Sequence, residues 1–447
     1  MGLKGVIVKI LSLKRNFREN LVKNITKRIE DEEFAGRSKV DLSGFTRKRK
    51  IPFKNLLVLI MKGLKRSLQR ELNSFYKEVN NSDFSIVHVT KGAFSQSRSK
   101  LKPSAFEELS QLVVKDFYQG TSYLMWNYHR LLAVDGSKLM LPNHESIRDE
   151  FGVTGYGSKA DSLRSMGQVS MLYDVLNYIT LDAKLAPLST GERELCRGHF
   201  DYMKEGDLVL LDRGYPSLGL FFEMIARKIH FCARMTNDWW LEVKQMLAEG
   251  EMDKIVSFQL PKKFHYLLKE YNISSTEIQC RLIQVKLPNG EVMVLCTSLL
   301  DQEKYPYEHF SDLYHLRWNE EEGYKLYKSR CHLESFSGKT SIAVKQDFYA
   351  NVFTMNLCAA LAHPIEEKVR QETSGKNRKH PCKINRTNAI GAIKESLIGI
   401  FIKKKYKRAI ASFDQILEKT PEIVRPDRKF PRKHVKNKPP SMNYKQL

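Results

Sequence analysis

The chain has 447 residues, of which 74 are Lys or Arg and 51 are Asp or Glu, giving a formal charge of +23 and a pI near 9.5. That length buries a large core and divides into about two to four units, and the excess of positive charge points to a polyanionic partner, most often nucleic acid. No run of about 18 apolar residues exists, LLVLIM at 56–61 and LGLFFEMIA at 218–226 being too short to cross a bilayer, so no membrane partner is expected.

The opening MGLKGVIVKILSLKRNF has a weak amphipathic, signal-like start. It lacks a long apolar stretch and a small-residue cleavage site, so a soluble, cytoplasmic, nucleoid-associated protein is expected. Seven cysteines without C-x2-C spacing read as reduced thiols, not as a zinc site or a disulfide frame.

Residues 1–124 read as a helical DNA-binding region. Leu57, Ile60, Met61, Leu64, Leu68, Leu72 and Phe75 recur at steps of three and four, with Lys62, Lys65, Arg66 and Arg70 between them, predicting one amphipathic helix with a basic outer surface. A shorter helix follows Thr90 and carries Lys91, Gln96, Arg98, Lys100 and Lys102. Pro103-Ser104 starts another, with Phe106, Leu109, Leu112 and Val113. Short helices with clustered basic residues suit helix-turn-helix-like DNA reading; a bundle with solvated basic faces is the alternative.

Residues 125–235 follow the strand order of a ribonuclease-H-like α/β core: strand Leu131–Asp135, two antiparallel strands joined at Val175–Tyr178, a polar helical stretch 190–204, strand Asp207–Asp212, helix Leu218–Lys228 and strand His230–Met235. Residues 236–306 turn β-rich, and Asn289-Gly290 between two β-rich runs is a strong hairpin signal. Residues 307–375 return to helix, with an apolar stretch Phe348–Leu361 suited to packing on the sheet. Residues 376–447 form a basic C-terminal region: 401–447 hold fourteen Lys or Arg and four Asp or Glu, so 14 − 4 gives +10 of the +23. The Pro-rich stretch 426–447 is expected to be disordered.

Two aspartates stand where apolar strands end. Asp135 closes the run 131–134 before Gly-Ser, and Asp212 closes Leu208–Leu211 before Arg-Gly-Tyr-Pro, the lip of an α/β sheet where ligands bind. In DLYHLRWNEEEGYKLYKSR, Tyr314, Arg317, Glu321 and Lys328 lie at offsets 0, 3, 7 and 14. At about 100° per residue these share one helix face, suited to gripping phosphates beside a metal. Carboxylate ligands favour magnesium or manganese over zinc.

Asp135, Asp212 and the spacing Tyr314-x2-Arg317-x3-Glu321-x6-Lys328 resemble the DDE triad and YREK signature of the insertion-sequence-four family of bacterial cut-and-paste transposases. The phrases LLAVDGSKLMLP, LLDRGYP and TKGAFSQSRSKLKPSAFEEL extend the resemblance over roughly residues 40–345. It implies a transposase that binds terminal inverted repeats, cleaves at the element ends and joins the 3′-hydroxyls to target DNA by two-metal phosphoryl transfer. Two Mg2+ ions (Mn2+ possible) are then held by Asp135, Asp212 and Glu321, DNA is contacted by Tyr314, Arg317, Lys328 and Arg213, and a homodimer forms the synaptic complex. A packed core tyrosine at Tyr314 and an acid's partner at Arg213 stay open. A non-catalytic regulator derived from a transposase, or a metal-dependent nuclease of the same fold, is the alternative function.

Related enzymes that form hairpin ends flip a base onto a tryptophan late in the β-rich insertion. This chain has Trp126, Trp239, Trp240 and Trp318, none of them there. Trp239, Trp240 or Tyr305 is the substitute to consider, and Trp318 reads as a helix anchor in the core.

Overall fold

Four apolar residues in a row, Leu208–Leu211, demand a strand covered on both faces, and all four are buried in the computed structural model. It describes residues 6–11, 16–41, 51–156, 162–287, 290–319, 323, 333–374 and 380–424.

Before the core come β1 (Ile7–Ile10), α1 (Phe17–Glu30), α2 (Glu32–Arg37), α3 (Phe53–Met61), α4 (Leu68–Asn80), α5 (Lys91–Arg98), α6 (Ser104–Gly120) and β2 (Tyr123–Trp126). The single amphipathic helix expected through Leu56–Phe75 is two. The chain breaks at Gly63, whose φ of +72° suits glycine. Leu56–Met61 are all buried, so α3 is a core helix without a basic face.

The central sheet is built from β3 (Leu131–Met140), β6 (Met166–Asp174), β7 (Ile179–Pro187), β8 (Leu208–Leu211), β9 (His230–Arg234), β10 (Asp253–Gln259), β11 (Glu277–Lys286) and β12 (Val292–Thr297). A small hairpin, β4 (Thr154–Tyr156) with β5 (Ser162–Arg164), stands apart from it. In space the order is β10-β11-β12-β9-β8-β3-β6-β7. β3, β6 and β7 form an antiparallel meander, and β8 and β9 add in parallel on the other side of β3. This is a ribonuclease-H-like core. The β-rich insertion extends the same sheet, because β12 pairs with β9 through Cys296↔Ala233 and its neighbours.

Helices α7 (Glu145–Phe151), α8 (Glu192–Arg197), α9 (Leu218–Ala226), α10 (Leu241–Glu249), α11 (Tyr266–Glu270) and α12 (His309–His315) connect the strands. α13 (Ser341–Ser374), α14 (Arg386–Leu397) and α15 (Tyr406–Lys419) follow. Asn356 of α13 is clamped to β7, its Oδ1 accepting from Thr180 N (2.8 Å) and its Nδ2 donating to Thr180 O (2.7 Å).

The N-terminal helices share a continuous apolar cluster with this helix and the sheet, so packing does not break near residue 124. Arg98, expected on a basic surface, is 4% exposed. It donates to Gln346 Oε1, Asp347 Oδ1 and Ala343 O on α13, each at 2.6 Å. Lys91, Gln96 and Lys102 remain exposed. Residues 380–424 of the basic C-terminal region are packed, with Phe413 and Leu417 of α15 buried and Asp414 bonded to Arg18 of α1. The stretch 426–447 lies outside the described residues.

The six cysteines within the described residues are buried and form no disulfide. No helix among those residues is long and apolar enough to cross a membrane.

Candidate active site

Register places the two aspartates side by side. β3 and β8 run parallel with Val134 opposite Leu211 as their last pair, so Asp135 and Asp212 are the next residue on each chain, Asp135 still within β3 and Asp212 just past β8. Asp135 Oδ1 accepts from Gly136 N at 2.8 Å, while Oδ2 lies 3.8 Å from Arg317 Nη1. Asp212 has Tyr314 beside it, whose hydroxyl donates to Leu211 O (3.2 Å) and Asp212 Oδ1 (3.3 Å).

Tyr314 and Arg317 are buried, at 6% and 5% exposure. Burial, and then the charge of Asp212, push the Tyr314 phenol well above its usual range, so it stays protonated and donates. The Arg317 guanidinium sits 5.8 Å from the Tyr314 ring centroid. Tyr314 is thus the packed core tyrosine, with its hydroxyl turned to Asp212. Arg317 faces Asp135.

The helix carrying these residues is not one straight rod. α12 ends at His315, and Leu316 N, Arg317 N and Asn319 N each bond back three residues instead of four. The uniform 100° step used to align Tyr314, Arg317, Glu321 and Lys328 therefore fails between the first two. Glu321 and Lys328 lie outside the described residues, as do Glu320 and Glu322.

Arg213 is exposed and forms no ion pair among the described residues. It lines a cavity of about 480 Å³ next to Asp212, together with Arg193, Trp239, Trp240, Lys263 and Phe264. Arg193 lies in a stretch legible from sequence only as polar helix.

The aromatic candidates separate cleanly. Tyr305 is 5% exposed, stacks on Trp126 with ring centroids 6.0 Å apart, and shares a 2.8 Å hydrogen bond with His129 Nε2. Trp240 packs edge-on against Phe258, whereas Trp239 is 87% exposed. Trp318 is 52% exposed and touches His315, so it is not the core anchor expected.

Two carboxylates on adjoining chains, Asp135 midway along β3 and Asp212 just past β8, are hard oxygen donors and fit a divalent cation. Among the described residues no three His, Cys, Asp or Glu side chains converge closely enough to cage one by themselves. A ribonuclease-H-like sheet with one acid midway along its first strand and another just past the end of its fourth is the architecture of a metal-dependent phosphodiester enzyme.

The chain belongs to the DDE transposases, since the sequence profile of the family described as "Transposase DDE domain" matches residues 126–357, just over half of it. It is 23% identical over 322 residues to the transposase InsG for insertion sequence element IS4 of Escherichia coli K12, covering 70% of each chain. The transposase for insertion sequence element IS421 of Escherichia coli is 25% identical over 111 residues, covering 25% of this chain and 30% of that one. In the cryo-electron microscopy structure of a piggyBac transposase synaptic complex with hairpin DNA, the protein aligns over 90% of this chain and 84% of its own, with a TM-score of 0.45 and 12% identity. Within the DDE transposases this chain is of the IS4 family: a DNA transposase whose family works with divalent metal ions.

Proposed function

We propose that Asp135, Asp212 and Glu321 form the catalytic centre and that the protein excises an insertion sequence at its terminal inverted repeats and joins the 3′-hydroxyls to target DNA. The observation that carries this reading is that Asp135 and Asp212 each follow the last pair of the parallel β3–β8 ladder, each with its own buried neighbour, Arg317 or Tyr314.

In this reading the three carboxylates hold two Mg2+ ions, with Mn2+ able to replace them. When bound, the ions activate the attacking oxygen and stabilise the charge on the leaving 3′ oxygen. The remaining work falls to the chain. Tyr314 fixes the rotamer of Asp212 through its hydroxyl, and Arg317 orients the Asp135 carboxylate. Arg213 and Lys328 bind phosphates flanking the scissile bond. Exposed Lys91, Gln96 and Lys102 on and beside α5 contact the repeat. A homodimer brings the two ends together.

Cleavage of end-labelled repeat DNA, with gel shifts of the same proteins, tests the assignment. Asp135→Asn, Asp212→Asn and Glu321→Gln each abolish cutting while repeat binding persists. Glu320→Gln and Glu322→Gln keep activity within about tenfold, roughly 1.4 kcal/mol in the barrier. Normal cutting by Glu321→Gln, with Glu320→Gln or Glu322→Gln dead, refutes the choice of glutamate.

A further inference from the structure

The loop between α4 and α5 turns three large apolar side chains to solvent within four positions. Phe84 is 80% exposed, and Ile86 and Val87 are each more than half exposed. Single apolar residues scattered over a surface are ordinary, but three on one loop tip form a patch of the kind that meets a partner. Asp83 and Ser85 are exposed too, so the whole tip from 83 to 87 stands outside the core.

Both ends of this loop are anchored. Asn81 closes α4 in the left-handed conformation (φ +52°), Ser82 N donates to Lys77 O (3.0 Å), and Lys403 Nζ donates to Asn81 Oδ1 (2.7 Å). On the far side Val89 is buried, and the His88 ring lies 4.9 Å from that of Tyr76. Gln69 of α4 ties down the exit, its Nε2 donating to Val89 O (2.8 Å) and its Oε1 accepting from Lys91 N (3.0 Å) at the start of α5. The apolar tip is therefore projected from fixed ends.

The surroundings of the tip select its partner. From Phe84 to Phe106 the sequence holds Lys91, Arg98, Lys100 and Lys102 and no Asp or Glu. Arg98 is taken up by α13, which leaves Lys91 and Lys102 exposed, with Ser95, Gln96 and Ser99 exposed between them. Protein interfaces are depleted in lysine, whereas DNA is met by lysines, hydroxyls and amides together. Proteins that kink DNA add to these an apolar wedge of residues such as Phe and Ile, inserted between base steps.

We propose that Phe84, Ile86 and Val87 form a wedge that enters the minor groove of the repeat DNA and opens a base step beside the contacts of α5. The inference rests on the reading that the protein binds its terminal repeats, and extends the contact from α5 to the loop. Lys91 and Gln96 supply charge and hydrogen bonds; the tip supplies apolar contact with the bases, and the duplex kinks toward its major groove.

Repeat duplexes with a fluorescent donor and acceptor at their two ends report affinity and bending together, with the full chain as the binder. The wild type is expected to shorten the end-to-end distance. The double variant Phe84→Ser, Ile86→Ser keeps the melting temperature of the wild type, because neither side chain is packed, yet binds at least about tenfold more weakly and leaves the duplex straight. Its slope of log affinity against log salt stays that of the wild type, since apolar contact releases no counterions, whereas Lys91→Ala flattens the slope by up to about 0.9. Wild-type affinity and bending in the double variant, or a wild type that binds the repeat without bending it, overturns the wedge and leaves repeat binding standing. A dimer of the wild type without DNA, seen by sedimentation and dissociated in the double variant, assigns the patch to a second copy and likewise overturns the wedge. No preference of the wild type for repeat over scrambled duplex overturns the repeat-binding reading, and this inference with it.

Discussion

At Tyr314 one phenol serves two acceptors, the carbonyl that ends β8 and the acid that follows it. Removing the hydroxyl with Tyr314→Phe keeps the buried ring and removes both bonds, so stability falls by about 1 kcal/mol. The larger effect is on Asp212, which is left without the group that orients it. The Mn2+ concentration giving half-maximal cleavage is expected to rise about tenfold to a hundredfold, the usual cost of removing a ligand's supporting hydrogen bond. A cleavage titration against Mn2+ measures it, and an unchanged midpoint would assign Tyr314 to packing alone. Spacing along the chain puts Tyr314 on the same element as Arg317. What spacing does not reveal is that the hydroxyl points inward, because that depends on the register of a strand about a hundred residues away.

Between elements, the tie of α5 to α13 carries the clearest energetic consequence. Arg98 and Asp347 are both buried, and Arg98 also satisfies Gln346 and a backbone carbonyl. Arg98→Leu leaves Asp347 without its cation, and breaking a buried pair from one side costs about 3–5 kcal/mol. Urea unfolding of the full chain checks this; a decrease below about 1 kcal/mol would show the pair to be incidental. The same pair shows where sequence reading stops. The strand at 208–211, the first half of the one at 131–140, the antiparallel meander and the 281–297 hairpin are legible because apolar runs, alternation and Asn-Gly are local signals; the polar half of the first strand, past Asp135, is not. Arg98 reads as a surface cation because its partner is far off in the chain. The break at Gly63 and the tightened turn at 316–317 escape for a related reason: apolar spacing carries through both, and only the packed chain shows that the helix does not.

Across the whole molecule, charge is unevenly spread. Residues 425–447 carry eight Lys or Arg and one Asp, so 8 − 1 gives +7. If this segment meets phosphates, deleting it flattens the slope of log affinity against log salt by up to about 0.9 for each phosphate it had neutralised, with little change in sequence preference. Repeat-DNA titrations at several salt concentrations give that slope, and an identical slope in the truncated chain would place the segment away from DNA. In the proposed function the +23 of the full chain acts on affinity, while Asp135 and Asp212 face the same DNA. Metal between those acids reconciles the two, and it is the central claim. Anomalous scattering from manganese in crystals of the full chain with repeat DNA tests it most directly. The expected result is manganese at about 2.0–2.2 Å from carboxylate oxygens of both Asp135 and Asp212. Manganese bound elsewhere, with both aspartates left without a cation, would contradict it.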